Sequence, residues 1–142
     1  MKHWLSLTLL GLILWSCGPN PISRKWQPIG PSIDYEINVV EFLAQDSSIW
    51  IAGGRKSGYG FIARSIDFGR SWRIDSITDQ SIYDLHIFSP ERVVAVGNGG
   101  RVLQSMDGMQ SWQLVQIPNF IQLNAVTFTD PQTGFIAAGR RF

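Results

Sequence analysis

Beyond residue 17 the chain is a succession of short apolar or alternating runs, each stopped by glycine, proline, asparagine or aspartate. Val93-Val94-Ala95-Val96 ends at Gly97-Asn98-Gly99-Gly100, where the Asn-Gly step favours a tight primed hairpin turn. Val102-Leu103 opens the next strand and Asp107-Gly108 the next turn. From Trp112 to Ile117 apolar and polar positions alternate through Val115, the pattern of a half-buried strand, until Pro118-Asn119 stops it. No stretch after the leader combines a 3.6-residue period with helix caps. The pattern predicts an all-β chain.

The runs repeat. Ser65-Ile66-Asp67-Phe68-Gly69-Arg70-Ser71-Trp72 returns forty residues later as Ser105-Met106-Asp107-Gly108-Met109-Gln110-Ser111-Trp112. Gly60-Phe61-Ile62-Ala63-Arg64 matches Gly100-Arg101-Val102-Leu103-Gln104, and Leu85-His86-Ile87-Phe88 matches Ala125-Val126-Thr127-Phe128, at that same interval. Ile49-Trp50-Ile51-Ala52-Gly53 recurs as Val93-Val94-Ala95-Val96-Gly97 and as Phe135-Ile136-Ala137-Ala138-Gly139, at intervals of 44 and 42. Loop lengths vary while the elements persist. Four short strands in about forty residues is the unit of a β-propeller blade. The expected fold is a partial β-propeller of four-stranded antiparallel blades, about two and a half in number. Blade one occupies 36–77, blade two 82–117 and a partial third 123–142. A small β-sandwich of short strands is the compact alternative.

The first sixteen residues read as an address and not as part of the fold. Met1-Lys2-His3 is basic, and Trp4 to Trp15 is almost wholly apolar. At 1.5 Å per residue that run reaches about 18 Å, short of the roughly 30 Å hydrocarbon core, so it fits a signal helix better than a membrane span. Leu14-Trp15-Ser16-Cys17 resembles a bacterial lipobox, although Trp15 is bulkier than its position usually carries. The resemblance implies cleavage before Cys17 and acylation of its thiol. It implies an exported protein of the bacterial cell envelope, lipid-anchored to a membrane. Residues 17–35 then serve as a Pro- and Gly-containing tether, with Lys25-Trp26-Gln27-Pro28-Ile29 as a candidate closing strand. The alternative is a buried N-terminal helix with an inert thiol.

The octapeptide from Ser65 to Trp72 resembles the Asp-box, Ser-x-Asp-x-Gly-x-Ser/Thr-Trp, at Ser65, Asp67, Gly69, Ser71 and Trp72. Its second copy keeps Ser105, Asp107, Ser111 and Trp112 but carries glycine one place early, at Gly108, with Met109 in the glycine position. Asp-boxes occur in sialidases, sortilin-like receptors and photosystem II stability/assembly factor-like propellers. Asn124-Ala125-Val126-Thr127-Phe128-Thr129-Asp130 and Gly134-Phe135-Ile136-Ala137-Ala138-Gly139 look most like the last group, and the resemblance covers about residues 36–142. It implies a propeller that binds a protein partner, as the photosystem-associated members bind an assembling membrane protein. Serine and aspartate oxygens of such a turn bond its exposed amides, and Gly69 is free to take positive φ. Trp72 carries apolar surface into the seam between blades. Asp67 and Asp107, isolated on different blades, make no metal cage, and neither a metal nor a cofactor is expected.

Charge and composition narrow the function classes. Twelve Lys and Arg against eleven Asp and Glu leave a net charge of +1, with no overall drive toward nucleic acid. The single cysteine excludes an intrachain disulfide framework and a cysteine-rich zinc site. Gly58-Tyr59-Gly60-Phe61-Ile62-Ala63 fits G-x-G-x-x-A but sits between two strands, where no helix N-terminus faces a pyrophosphate. Arg55, Lys56 and Tyr59 belong to a loop that blade two replaces with a plain Asn98-Gly99, and they are a candidate partner loop. Arg64, Arg70, Arg73 and Arg101 cluster near the first octapeptide, with solvated side chains the simplest expectation. His86 lies in an alternating strand with no second histidine nearby.

A sialidase-like glycoside hydrolase is the enzymatic alternative. Tyr35, Tyr59, Tyr83, Glu36 and Glu41 supply its residue types, but the Arg-Ile-Pro element that precedes the first Asp-box in sialidases is absent. No catalytic residues are assigned. A propeller needs typically four to eight blades, about 160 residues at the least, and residues 17–142 supply 126. The chain therefore reads as part of a longer propeller, with an open edge strand capable of self-association. The expected function is a non-catalytic, lipid-anchored interaction or assembly module with an unidentified protein partner; a non-functional truncated product is the third reading.

Overall fold

The structure, a computed structural model, describes residues 28–55, 58–118 and 121–139. The leader, Cys17 and Lys56 lie outside the described residues, as does most of the candidate closing strand.

Among the described residues, short β-branched and small-residue runs become ten strands: β1 Glu36–Leu43, β2 Ser48–Arg55, β3 Tyr59–Ser65, β4 Arg73–Thr78, β5 Ile82–Ile87, β6 Val93–Gly97, β7 Arg101–Ser105, β8 Gln113–Gln116, β9 Leu123–Phe128 and β10 Gly134–Ala138. They form three antiparallel sheets, ordered β1-β2-β3-β4, β5-β6-β7-β8 and β9-β10. Within each sheet every strand pairs with the next in sequence, the arrangement that short hairpin connections dictate. The registers repeat as well. Ile49 lies opposite Ser65, and Val93 lies opposite Ser105, so the same serine ends the third strand of each four-stranded sheet.

Apolar side chains close the seams between sheets. Trp50, Ala52 and Ile62 of the first sheet meet Leu85, Val93, Ala95 and Leu103 of the second, together with Met109. Trp50 has no exposed surface, and burying a side chain of that size contributes about 3 kcal/mol. Its indole N–H donates to Ser48 Oγ at 2.8 Å, which satisfies the one polar atom taken into the seam. Val94 and Val96 on the opposite face of the second sheet pack with Leu123 and Val126 of β9. A third cluster, Ile51, Phe61 and Ala63, lies on the far face of the first sheet, where Ile33 and Trp72 pack against it.

Two local expectations change. The strand from Gln113 to Gln116 is exposed at all four residues, because it is the outermost of its sheet; Trp112 and Ile117, at its flanks, turn inward. The Asn98 turn is a three-residue 3₁₀ turn with φ of 68° at Gly99 and 76° at Gly100, wider than a two-residue primed turn. A Cβ at Gly100 would lie 2.4 Å from the Ile117 carbonyl oxygen, so that close approach requires glycine.

Candidate functional site

Both octapeptides fold into the same hydrogen-bonded corner. Ser65 Oγ donates to Asp67 Oδ1 at 2.8 Å and accepts from the Gly69 amide at 2.8 Å. Asp67 Oδ1 accepts from the Ser71 amide at 2.9 Å, and Oδ2 from Ser71 Oγ at 2.6 Å. Forty residues on, Ser105 Oγ donates to Asp107 Oδ1 at 2.9 Å and accepts from the Met109 amide at 3.0 Å. Asp107 Oδ1 accepts from the Ser111 amide at 2.9 Å, and Ser111 Oγ donates to Oδ2. The misplaced glycine leaves the turn unchanged. Residues 68 and 69 take φ of 59° and 84°, residues 108 and 109 take 68° and 69°, and each corner spends its one glycine on a different member of the left-handed pair.

The serines hold both carboxyls well below the usual carboxylate range. Asp67 falls to about 2, chiefly through the Ser71 hydroxyl and amide, with Ser65 adding to them. Asp107 falls to about 2 through Ser111 first. All the carboxylate oxygens of Asp67 and Asp107 are engaged within their own turns. Among the described residues no three His, Cys, Asp or Glu side chains gather as metal ligands.

Three of the four clustered arginines are ties between elements, in place of the solvated groups expected. Arg64 bonds the Asp46 carboxylate, donates to the Pro90 carbonyl at 3.1 Å and lies 4.9 Å over the Trp50 ring. Arg73 donates to the carbonyls of Gly108 and Met109 at 3.2 and 2.7 Å. Arg101 pairs with Asp79 at 2.8 Å. Arg70 is exposed. A further arginine, Arg92, repeats the Arg64 device at the next seam: it donates to the Pro131 carbonyl at 2.6 Å and lies 4.1 Å over Phe88. Pro90 and Pro131 sit in equivalent turns, a spacing visible in sequence only once the repeat is aligned.

The candidate partner loop gains a neighbour that the sequence did not suggest. Arg55 ends β2 and Tyr59 opens β3, directly opposite each other. Tyr35 stacks on Tyr59 with ring centroids 4.3 Å apart and planes 25° apart, and the Arg55 guanidinium lies 5.9 Å from the Tyr35 ring. Tyr59 Oη is 2.6 Å from Ser76 Oγ, which fixes the ring. Beside the stack, Asp34, Tyr35, Glu36, Gly54 and Arg55 line an open depression of about 250 Å³. The contact depends on how the segment before β1 crosses the sheet edge, and no sequence spacing encodes that path. His86 does not line this depression; it packs on Phe88 and Phe128 at 4.6 and 5.0 Å, with partial burial lowering its pKa. Gly58 and Gly60 lie in the β2–β3 hairpin region, not at a helix start.

These sheets, radially repeated and each four-stranded where complete, make the chain a partial β-propeller with antiparallel blades. Two solved structures are similar to it. One is YCF48 bound to a D1 peptide, with TM-score 0.64 and 25% identity over 83% of this chain and 39% of that one. The other is YCF48 from Cyanidioschyzon merolae, with TM-score 0.57 and 19% identity over 80% of this chain and 38% of that one. The chain thus spans about two fifths of the length of both. No protein-family model matches the sequence, and no curated protein matches it.

Proposed function

We propose that the chain is a non-catalytic, assembly-factor-like propeller segment that recognises an extended stretch of a partner protein at the Arg55–Tyr59 end of blade one. The stacked Tyr35–Tyr59 pair beside the open depression carries this reading. Rigid aromatic faces next to a guanidinium suit a peptide that presents apolar and acidic groups, at low ordering cost to the site. The likeness to YCF48 bound to a D1 peptide supports a polypeptide ligand without specifying which one.

The two octapeptides act in this reading as Asp-boxes that hold corners, since both oxygens of each carboxylate are engaged within their own turn. The chain is read as part of a longer propeller, exported and lipid-anchored at Cys17 to a membrane of the bacterial envelope. The lipobox resemblance of Leu14 to Cys17 supports the anchor, and the greater length of both YCF48 chains supports the larger ring.

A photo-crosslinking residue at Tyr59, compared with one at exposed Gln132, tests the partner site in cells. A discrete adduct at 59 that disappears with Arg55→Glu is expected. Equal adducts at both positions, or none at 59, would overturn the assignment. Palmitate labelling that persists in Cys17→Ala would remove the anchor, and hydrolysis of a fluorogenic sialoside by the purified chain would refute a non-catalytic role.

A further inference from the structure

Each octapeptide places a large apolar side chain between its serine and its aspartate, Ile66 in the first and Met106 in the second. The corner bonds come from Ser65, Asp67 and Ser71, or from Ser105, Asp107 and Ser111, and place no demand on the residue between. Ile66 is 69% exposed with blade two in place after it, and Met106 is 58% exposed with blade one in place before it. Neither a following nor a preceding blade covers this position, so its exposure belongs to the repeat itself. Arg73 reaches the Gly108 and Met109 carbonyls, which sets the two corners side by side on one face. At blade one Phe68 and Ile29, both more than half exposed, extend the apolar surface. Single apolar side chains on a surface need no explanation, whereas a patch that recurs on one face marks a contact.

The same face is where the chain enters blade one. Ile29 lies against the first corner, so that a Cβ on Gly69 would stand 3.2 Å from its Cδ1. From there Ile33 packs on the far face of the first sheet, and Tyr35 stacks on Tyr59 at the other end of the blade. Strand β3 joins these ends, with Tyr59 at its start and Ser65 at its finish, about 20 Å apart at 3.3 Å per residue. Ten residues separate Cys17 from Pro28 and span at most about 36 Å. An acyl chain on Cys17 therefore brings the corner end to the lipid first and leaves the Arg55–Tyr59 end facing away. Charge adds little, because Asp67 and Asp107 are bonded inside their turns and Arg70 is exposed beside them. That balance suits apolar insertion more than attraction to anionic headgroups.

We infer that the corner face rests on a lipid bilayer, with Ile66 and Met106 inserted at the headgroup boundary and Phe68 and Ile29 beside Ile66. The inference takes its tether from the lipid-anchored reading above, and it leaves the proposed partner site open to the aqueous side.

The test supplies the tether without acylation. A hexahistidine tag in place of the leader holds the chain on phosphatidylcholine vesicles that contain a nickel-chelating lipid. Cys17→Ser leaves one introduced thiol for an environment-sensitive fluorophore, at Arg70→Cys on the corner face or at Asp79→Cys beside the β2–β3 hairpin. With doxyl-labelled lipid, emission at 70 falls about twofold while emission at 79 does not change. Ile66→Asp with Met106→Asp restores the emission at 70, with vesicle binding and urea midpoint unchanged, which separates lost insertion from lost tethering or folding. Ile66→Leu with Met106→Leu keeps the quenching. Equal quenching at 70 and 79, quenching at neither, or quenching that survives the aspartate pair would each overturn the inference. A change at 70 without lipid that grows with chain concentration would assign the patch to a second copy and overturn it as well. Because the chelating lipid replaces the acyl chain, these outcomes stay separate from the palmitate result at Cys17.

Discussion

Arg73 of blade one donates from Nη2 to the Met109 carbonyl oxygen at 2.7 Å, and that reach ties one octapeptide's blade to the next octapeptide. Nη1 takes the adjacent Gly108 carbonyl at 3.2 Å. In the first octapeptide the carbonyl equivalent to Met109, that of Gly69, instead accepts the indole N–H of its own Trp72 at 3.0 Å. In the second, Trp112 Nε1 is buried without a partner. One corner is closed from within, the other from the neighbouring blade.

Arg73→Ala therefore lowers the urea midpoint although the residue looks like a surface charge. With the side chain half exposed, the loss is about 1 kcal/mol. Arg73→Lys recovers only part of it, since one ammonium cannot span two carbonyls as a guanidinium does. An unchanged midpoint in Arg73→Ala would remove the tie from the account.

The left-handed pairs give opposite outcomes for the same replacement. Phe68 is 62% exposed at φ 59°, so Phe68→Gly relieves about 1 kcal/mol of backbone strain and sacrifices little burial. Met109 is 1% exposed in the seam, so Met109→Gly loses about 3 kcal/mol of packing, more than the strain it relieves. Equilibrium denaturation of the two variants should move in opposite directions. Two shifts of the same sign would contradict the shared turn geometry.

Besides the Arg92–Pro131 contact, blade three is tied to blade two by the Val126 amide, which donates to Asp84 Oδ2 at 2.8 Å. Val126 is 6% exposed, so Asp84→Ala leaves a buried donor unpaired at a cost of about 1–2 kcal/mol. Hydrogen exchange at Val126 should accelerate while β2 and β3 remain protected. Acceleration spread evenly over the chain would mean that the blades do not open separately.

Acid acts through the corners. The folded state holds the Asp67 and Asp107 carboxyls down at about 2, below the ordinary carboxylate range, and so favours their charged forms. That stability is complete above about pH 4, the range of the unfolded carboxyls, and is lost as pH falls toward the folded value near 2. The double variant Asp67→Asn, Asp107→Asn should be less stable at pH 7 and should show a flatter loss between about pH 4 and pH 2. Parallel pH profiles for the two proteins would exclude these carboxyls as the source.

The repeat, the strand spans and the corner-forming residues were legible in sequence because each depends on neighbours close along the chain. Ser65, Asp67 and Ser71 bond one another within seven residues, so their pairing is set by local spacing. Even the shifted glycine follows local rules, since either member of a left-handed pair satisfies them. What sequence could not reach were two relationships across a seam, Arg73 on the second corner and Arg64 on Pro90, and one within the first sheet, Tyr35 on Tyr59. Those pairings depend on how one twisted sheet is laid against the next and on the path of the segment before β1. Local chemistry determined the corners; packing between blades decided which arginines became ties, and the path of the segment before β1 decided that Tyr35 stacks on Tyr59.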